Sequence, residues 1–318
     1  MTSFELGLPS QIFLENCDSR SPRNLFDSDF DDDTIELRPS RPENELTRQL
    51  WFIVKDRMMN SFSKVCRDAL SFHVKSEAEV LQLDCEIRQM YDNVPDVLRV
   101  KPLTESLAEE PFIIFTRIYV EFIYLKCLCV LHRRYMARGN TFSTTSCINA
   151  AKKIVSQFVE ISKEFLPGGR LYMHHWMLTN YTMNDFLLGV MVLCFALHVC
   201  RDGSVQSRNI DVATQNQIRQ LLESSYKVLL HKIDSCKDAH RVSRIVRLML
   251  DGAKPIDRLV QSPQSVAQNI EPQQLPIPGQ NEGESVTGPL EPFTFMNNPI
   301  GDIDWTMFDL QTFDYEPL

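Results

Sequence analysis

The chain has 318 residues, 43% of them hydrophobic and only 11 of them glycine. That is enough apolar material for a sizeable core and too little turn material for an all-β fold. The formal net charge is −9, and no Lys or Arg follows Arg258, whereas the last sixty residues hold Glu271, Glu282, Glu284, Glu291, Asp302, Asp304, Asp309, Asp314 and Glu316. The body up to residue 258 is therefore formally neutral, a poor match for DNA phosphate, and no direct DNA binding is expected.

Nine cysteines are scattered through the chain with no C-x-x-C spacing, which reads as reduced, mostly buried thiols. The opening MTSFELGLPS lacks a basic stretch followed by an apolar one, so no signal peptide is expected. The longest uncharged apolar run lies between Asp185 and Arg201, short of a bilayer span, and reads as a buried core helix with no membrane partner.

Residues 1–44 read as irregular: Pro9, Pro22, Pro39 and Pro42 interrupt helix, and acids crowd Asp27 to Asp33. From Glu45 the pattern turns helical, with Leu46, Leu50, Ile53, Val54 and Met58 on one face. Ser76-Glu77-Ala78-Glu79 spells a capping box, followed by the stripe Val80, Leu83, Ile87 and Met90. Pro111 opens a helix apolar almost all round, which belongs at the centre of a bundle and stops near Gly139. Ile148, Ala151, Ile154, Val155 and Phe158 mark the next helix, ended by Pro167-Gly168-Gly169. His175 to Cys200 reads as one or two helices, and 212–235 and 239–251 as amphipathic outer ones. Strand signals are nearly absent, so the expected fold is all-α, a bundle of about seven or eight helices over residues 45–258.

From residue 259 the composition shifts to Pro, Gln, Ser and Glu, which favours disorder. Within 302–315, acids alternate with large apolar side chains: Asp302, Asp304, Trp305, Phe308, Asp309, Leu310, Phe313, Asp314 and Tyr315. Like charges keep such a segment hydrated while its rings remain available to a basic-rimmed apolar groove on a partner. This is the composition of an acidic activation segment that recruits a coactivator or the transcription machinery; an inert tail, or one docked on its own bundle, is the alternative.

Three other constellations have plainer readings. Asp32-Asp33-Thr34-Ile35-Glu36 matches D-D-x-x-E, the Mg²⁺-holding pattern of helical terpenoid enzymes. It lies in a Pro-flanked segment and has no second N-D-x-x-S-x-x-x-E site, since Asn184-Asp185 is followed by Phe186, Leu187 and Leu188. His174-His175 are adjacent, so their side chains diverge on a helix and do not share a metal. His132-Arg133-Arg134 at the end of the apolar helix reads as structural capping. No catalytic or metal-binding residue is assigned.

Several segments together resemble the middle homology region of fungal zinc binuclear cluster (Zn2Cys6) transcription factors. They are GLPSQI with DSRSPRNLFDSDFDDD at 18–33, LHRRYMARG at 131–139, Cys147 with Ala150-Ala151, and NDFLLGVMVLCFALHV at 184–199. The resemblance implies a nuclear regulator, often of fungal metabolic or biosynthetic gene clusters, with a solenoid-like helical regulatory domain, an activating C-terminus, and homo- or heterodimerisation with related factors. A decoy that represses full-length partners is the alternative in the same class. The family's six-cysteine zinc module is not in this sequence, so neither zinc nor any other cofactor is carried over.

Overall fold

A computed structural model describes residues 2–5, 12, 17–106, 108–201, 210–233 and 236–251. The expected disordered tail, including 302–315, lies outside the described residues. Within them the fold is all-α, with no strand: α1 Thr2–Glu5, α2 Leu50–Ala69, α3 Glu77–Asp92, α4 Pro111–Ala137, α5 Thr141–Glu164, α6 Asn180–Arg201, α7 Val212–Leu230 and α8 Lys237–Leu250. Short 3₁₀ segments occur at Asp27–Asp29, Asp96–Leu98 and Tyr172–Met177, the last kinked at His174.

Local chemistry explains most boundaries. Ser76 and Glu79 close the capping box of α3: the Ser76 hydroxyl accepts from the Glu79 N–H, and the Glu79 carboxylate accepts from the Ser76 N–H at 2.8 Å. Asn140 caps α5 by accepting from the Ser143 N–H, and Asp211 caps α7 by accepting from the Thr214 N–H. Gly139 ends α4 with a φ of 81°, which a side chain would disfavour. The helical periodicity from Glu45 becomes helix only at Leu50, where the Thr47 hydroxyl accepts from the Gln49 and Leu50 N–H groups while donating to the Asn24 side-chain Oδ1 at 2.5 Å. The stretch 175–200 resolves into the 3₁₀ turn and one helix, α6.

α4 is the axis of the bundle. It packs on α2, α3, α5 and α6, and nearly all its residues from Ile114 to Met136 are buried, which matches its apolar circumference. α5 and α6 close one side; α7 and α8 form an outer pair against α5 and α6. One core runs from Phe62 of α2 to Met249 of α8. A smaller cluster of Leu50, Val54, Met58, Val94, Leu98, Val120 and Ile123 anchors the first half of α2.

α6 holds a 19-residue stretch, Thr182–Cys200, with a mean hydropathy of 1.9, long and apolar enough to cross a membrane. This exceeds the uncharged run read from the sequence because it takes in Asp185. Within the bundle 78% of it is buried against protein, and Asp185 pairs with Lys126 of α4. Gly189 lets α6 approach α5 closely: a Cβ there would stand 3.0 Å from the Val155 side chain and 3.4 Å from the Ala151 carbonyl oxygen.

Candidate functional site

The segments that carry the family resemblance come together as ties between helices. His132 is fully buried. One ring nitrogen lies 2.9 Å from Asp84 Oδ1 of α3 and the other 3.0 Å from the Ser143 hydroxyl of α5. Arg88 donates to both Asp84 oxygens, at 2.7 and 3.0 Å. Burial pushes the Asp84 carboxyl up, but the bonds from His132 and Arg88 outweigh it and hold the group below its ordinary value. A serine, a histidine and an aspartate thus stand in line. All three are buried, and the aspartate is shared with an arginine, so the arrangement is a strut across α3, α4 and α5.

Arg134 stands in the last turn of α4 and also reaches a second helix. Nη1 points at the carbonyl oxygens of Asp68, Ser71 and His73, at 3.4, 3.1 and 3.4 Å, and so satisfies the C-terminal end of α2. Cys147, Ala150 and Ala151 are buried on α5. The Cys147 thiol lies 3.7 Å from the Cys129 carbonyl oxygen, so small side chains set the α4–α5 approach. Lys126 and Asp185 form an ion pair in which both side chains are 3% exposed, with the ammonium 5.7 Å from the Phe62 ring centroid. In the N-terminal motif, buried Asn24 donates to the Pro42 and Glu45 carbonyl oxygens, each at 3.1 Å, and Arg41 clasps Asp29 through two 2.6 Å bonds. That clasp holds the Asp29 carboxyl down at about 2.

The other constellations disperse. Asp32, Asp33 and Glu36 are exposed on a loop, and among the described residues no three His, Cys, Asp or Glu side chains converge as a metal site. The D-D-x-x-E acids therefore do not assemble a Mg²⁺ centre there. His174 is half-buried and His175 exposed, the latter 5.4 Å from the Phe165 ring and 5.3 Å from Tyr172. Cys127, Cys129, Cys147 and Cys194 are each buried in helix contacts, and burial pushes the Cys66 thiol up to about 12. The proposed activation residues Asp302, Asp304, Trp305, Phe308, Asp309, Leu310, Phe313, Asp314 and Tyr315 lie outside the described residues.

Two surface features went unread in the sequence. One is a cleft of about 80 Å³ between α3 and the start of α5, lined by Val80, Leu81, Tyr135, Asn140, Phe142 and others. The second is an open groove of about 600 Å³ between α5 and α7. Its walls are Asn149, Lys152, Lys153 and Ser156 on α5, and Gln217, Gln220, Leu221 and Ser224 on α7. The available signal was the i, i+3, i+4, i+7 spacing of the polar α5 residues.

Similar proteins align over most of this chain. The Zn(2)-C6 fungal-type transcription factor mpsB of Macrophomina phaseolina is 29% identical over 309 residues, covering 94% of this chain and 40% of that protein. The Zn(2)-C6 fungal-type transcription factor pigI of Monascus ruber is 31% identical over 262 residues, 80% of this chain and 32% of its own. The Pyrrolocin cluster transcription factor fsdR of a fungal species is 34% identical over 259 residues, 78% of this chain and 34% of its own. Over most of its length the chain is similar to fungal Zn(2)-C6 transcription factors. It spans about a third to two fifths of the length of these relatives. No family model matches the chain, and no solved structure matches it. Two of the segments read from the sequence lie at helix junctions: the LHR segment at α3–α4–α5 and the DFLL segment at α4–α6.

Proposed function

We propose that this protein is a nuclear transcription regulator of a fungal biosynthetic gene cluster, acting through protein contacts of its helical domain and an acidic activating tail. The observation that carries the reading is the alignment of 78–94% of the chain with relatives named as transcription factors, one of them for a named cluster. The charge distribution supports it: a neutral body is joined to a tail with nine acids and no base. Such a tail can offer Trp305, Phe308 and Phe313 to a basic-rimmed groove on a coactivator. The body ties the seven helices α2 to α8 into one core, a rigid platform for dimerisation with related factors.

A reporter assay tests the tail. Residues 259–318, fused to an unrelated DNA-binding domain, are expected to activate transcription. Replacing Trp305, Phe308 and Phe313 together by Ala is expected to reduce activation at least about ten-fold, because aromatic anchors dominate such contacts. A wild-type fusion that is silent rejects the activating tail and favours a repressing decoy.

A further inference from the structure

α8 carries its charge on one side. Lys237, His240, Arg241, Arg244 and Arg247 follow one another at steps of three, one, three and three residues. At about 100° per residue they gather on the arc opposite the buried Ala239, Val242, Ser243, Val246 and Met249. His240, Arg244 and Arg247 are exposed, and Arg241 is half-buried. Asp238 pairs with Arg241 at 3.3 Å. Asp251 pairs with Arg247 at 3.5 Å, with both side chains about 70% exposed, and so solvated a pair gives way readily to a stronger anion. No carboxylate among the described residues pairs with Arg244. Arg219 of α7 continues the row: its Nη1 donates to the Leu250 carbonyl oxygen, at the end of α8, at 3.5 Å. Glu223, one turn further along α7, is the acid on that flank. A formally neutral body thus carries one cationic face.

The arrangement of these bases selects the kind of anion. The apolar stripe of α8 seats the helix on the core, so the bases are held at fixed spacing. From Lys237 to Arg247 the helix rises about 15 Å, a length over which duplex DNA carries about nine phosphate charges. Each base on the arc therefore meets an anion in any register. An acidic protein is the poorer fit. Protein contacts are anchored by aromatic and apolar side chains that fill pockets, whereas the arc holds only the half-buried Leu248 and no ring other than His240. α8 has no Asn or Gln to read adenine edges. Contacts from this face position the molecule and carry no sequence information.

We propose that the outer face of α8, extended by Arg219, contacts the phosphate backbone of duplex DNA without sequence preference. The contact is weak by itself, because few charges are involved and all of them are open to water and salt. It gains effect when a sequence-specific module brings the body to DNA, since a second contact on the same duplex then forms at high effective concentration. The inference goes beyond the regulatory role proposed above and uses nothing of the tail. The reporter fusion of residues 259–318 lacks α8, so either idea can fail alone.

The test is fluorescence anisotropy of a labelled duplex of about 20 base pairs titrated with the full chain. Expected is a Kd of about 10⁻⁵ M at about 20 mM salt, equal for two unrelated sequences. Log K should fall against log salt with a slope of about −3, the value for three to four phosphate contacts. Arg244→Ala with Arg247→Ala removes two of them: the slope falls to about −1 and affinity drops more than about ten-fold. Arg244→Lys with Arg247→Lys keeps both charges and is expected to bind within about three-fold of wild type. Both arginines are exposed, and an unchanged circular dichroism spectrum certifies the fold of each variant. No binding at low salt, a slope near zero, a strong preference for one sequence, or binding that ignores the alanine pair would each overturn the proposal. So would displacement of the duplex by polyglutamate at a lower charge concentration than by unlabelled duplex, which would assign the face to an acidic protein.

Discussion

Lys126 illustrates what a charge needs inside an apolar helix. α4 buries Arg117, Glu121 and Lys126 among aliphatic side chains, and each has an opposite charge or polar partner from elsewhere in the fold. Arg117 meets Glu109 and the Val97 carbonyl oxygen; Glu121 meets Lys153, Gln157 and the Tyr91 hydroxyl; Lys126 meets Asp185. Removing one partner of a desolvated pair leaves the other uncompensated, which costs more than the pair contributes. Lys126→Met is therefore expected to lower unfolding free energy by about 3–5 kcal/mol, and Lys126→Met with Asp185→Leu to recover much of that loss. Urea unfolding followed by circular dichroism measures both. A single variant costing under about 1 kcal/mol would mean that the pair is solvated. The sequence announces such sites only halfway. A charge within PFIIFTRIYVEFIYLKCLCVL demands a partner, but nothing local says that Lys126 finds it 59 positions later.

At the scale of elements, the readable features are those whose causes are local. The capping box at Ser76, Pro111 at the first turn of α4 and Gly139 past its end each act over three or four residues, and each marks a boundary within a residue or two of the observed one. Leu50 as the start of α2 was not readable, because the Thr47 hydroxyl that accepts from the Gln49 and Leu50 N–H groups is held by Asn24, 23 residues away. The reach of Arg134 beyond its own helix was hidden for the same reason: its three carbonyl partners sit 61 to 66 positions earlier. The α5–α7 groove needs two helices placed side by side, so only its α5 half could be drawn from spacing. Helix-to-helix distance is likewise encoded in single small residues whose meaning appears only in the fold. Gly189→Val should force α6 away from Val155 and Ala151 and cost about 1–3 kcal/mol, despite valine's better helix propensity. A thermal melt that shifts upward for this variant would show that α5 and α6 yield at little cost.

For the whole molecule, the question is whether α7 and α8 are an appendage or part of one cooperative unit. α8 is the most sharply two-faced helix: Ala239, Val242, Val246 and Met249 are buried, while Lys237, His240, Arg244 and Arg247 face water. Its apolar stripe packs on α6 and α7, and those residues are continuous with the core that reaches Phe62 in α2. Continuity of this kind argues for a single transition. Val246→Ala removes two buried methyl groups and should cost about 1–3 kcal/mol, which for a body of this size lowers Tm by about 2–4 °C per kcal/mol. Trp51 lies on α2, packed against the smaller cluster around Leu50, Val54 and Met58, whereas Val246 belongs to the main core. If the body is one unit, far-ultraviolet circular dichroism and the fluorescence of Trp51, isolated by replacing Trp176 and Trp305 with Phe, shift together in the Val246→Ala protein. A helical signal that melts early while Trp51 holds its wild-type midpoint would instead make α7–α8 a separable flap. The α7 wall of the groove and the basic face of α8 would then move with that flap rather than stay fixed to the bundle.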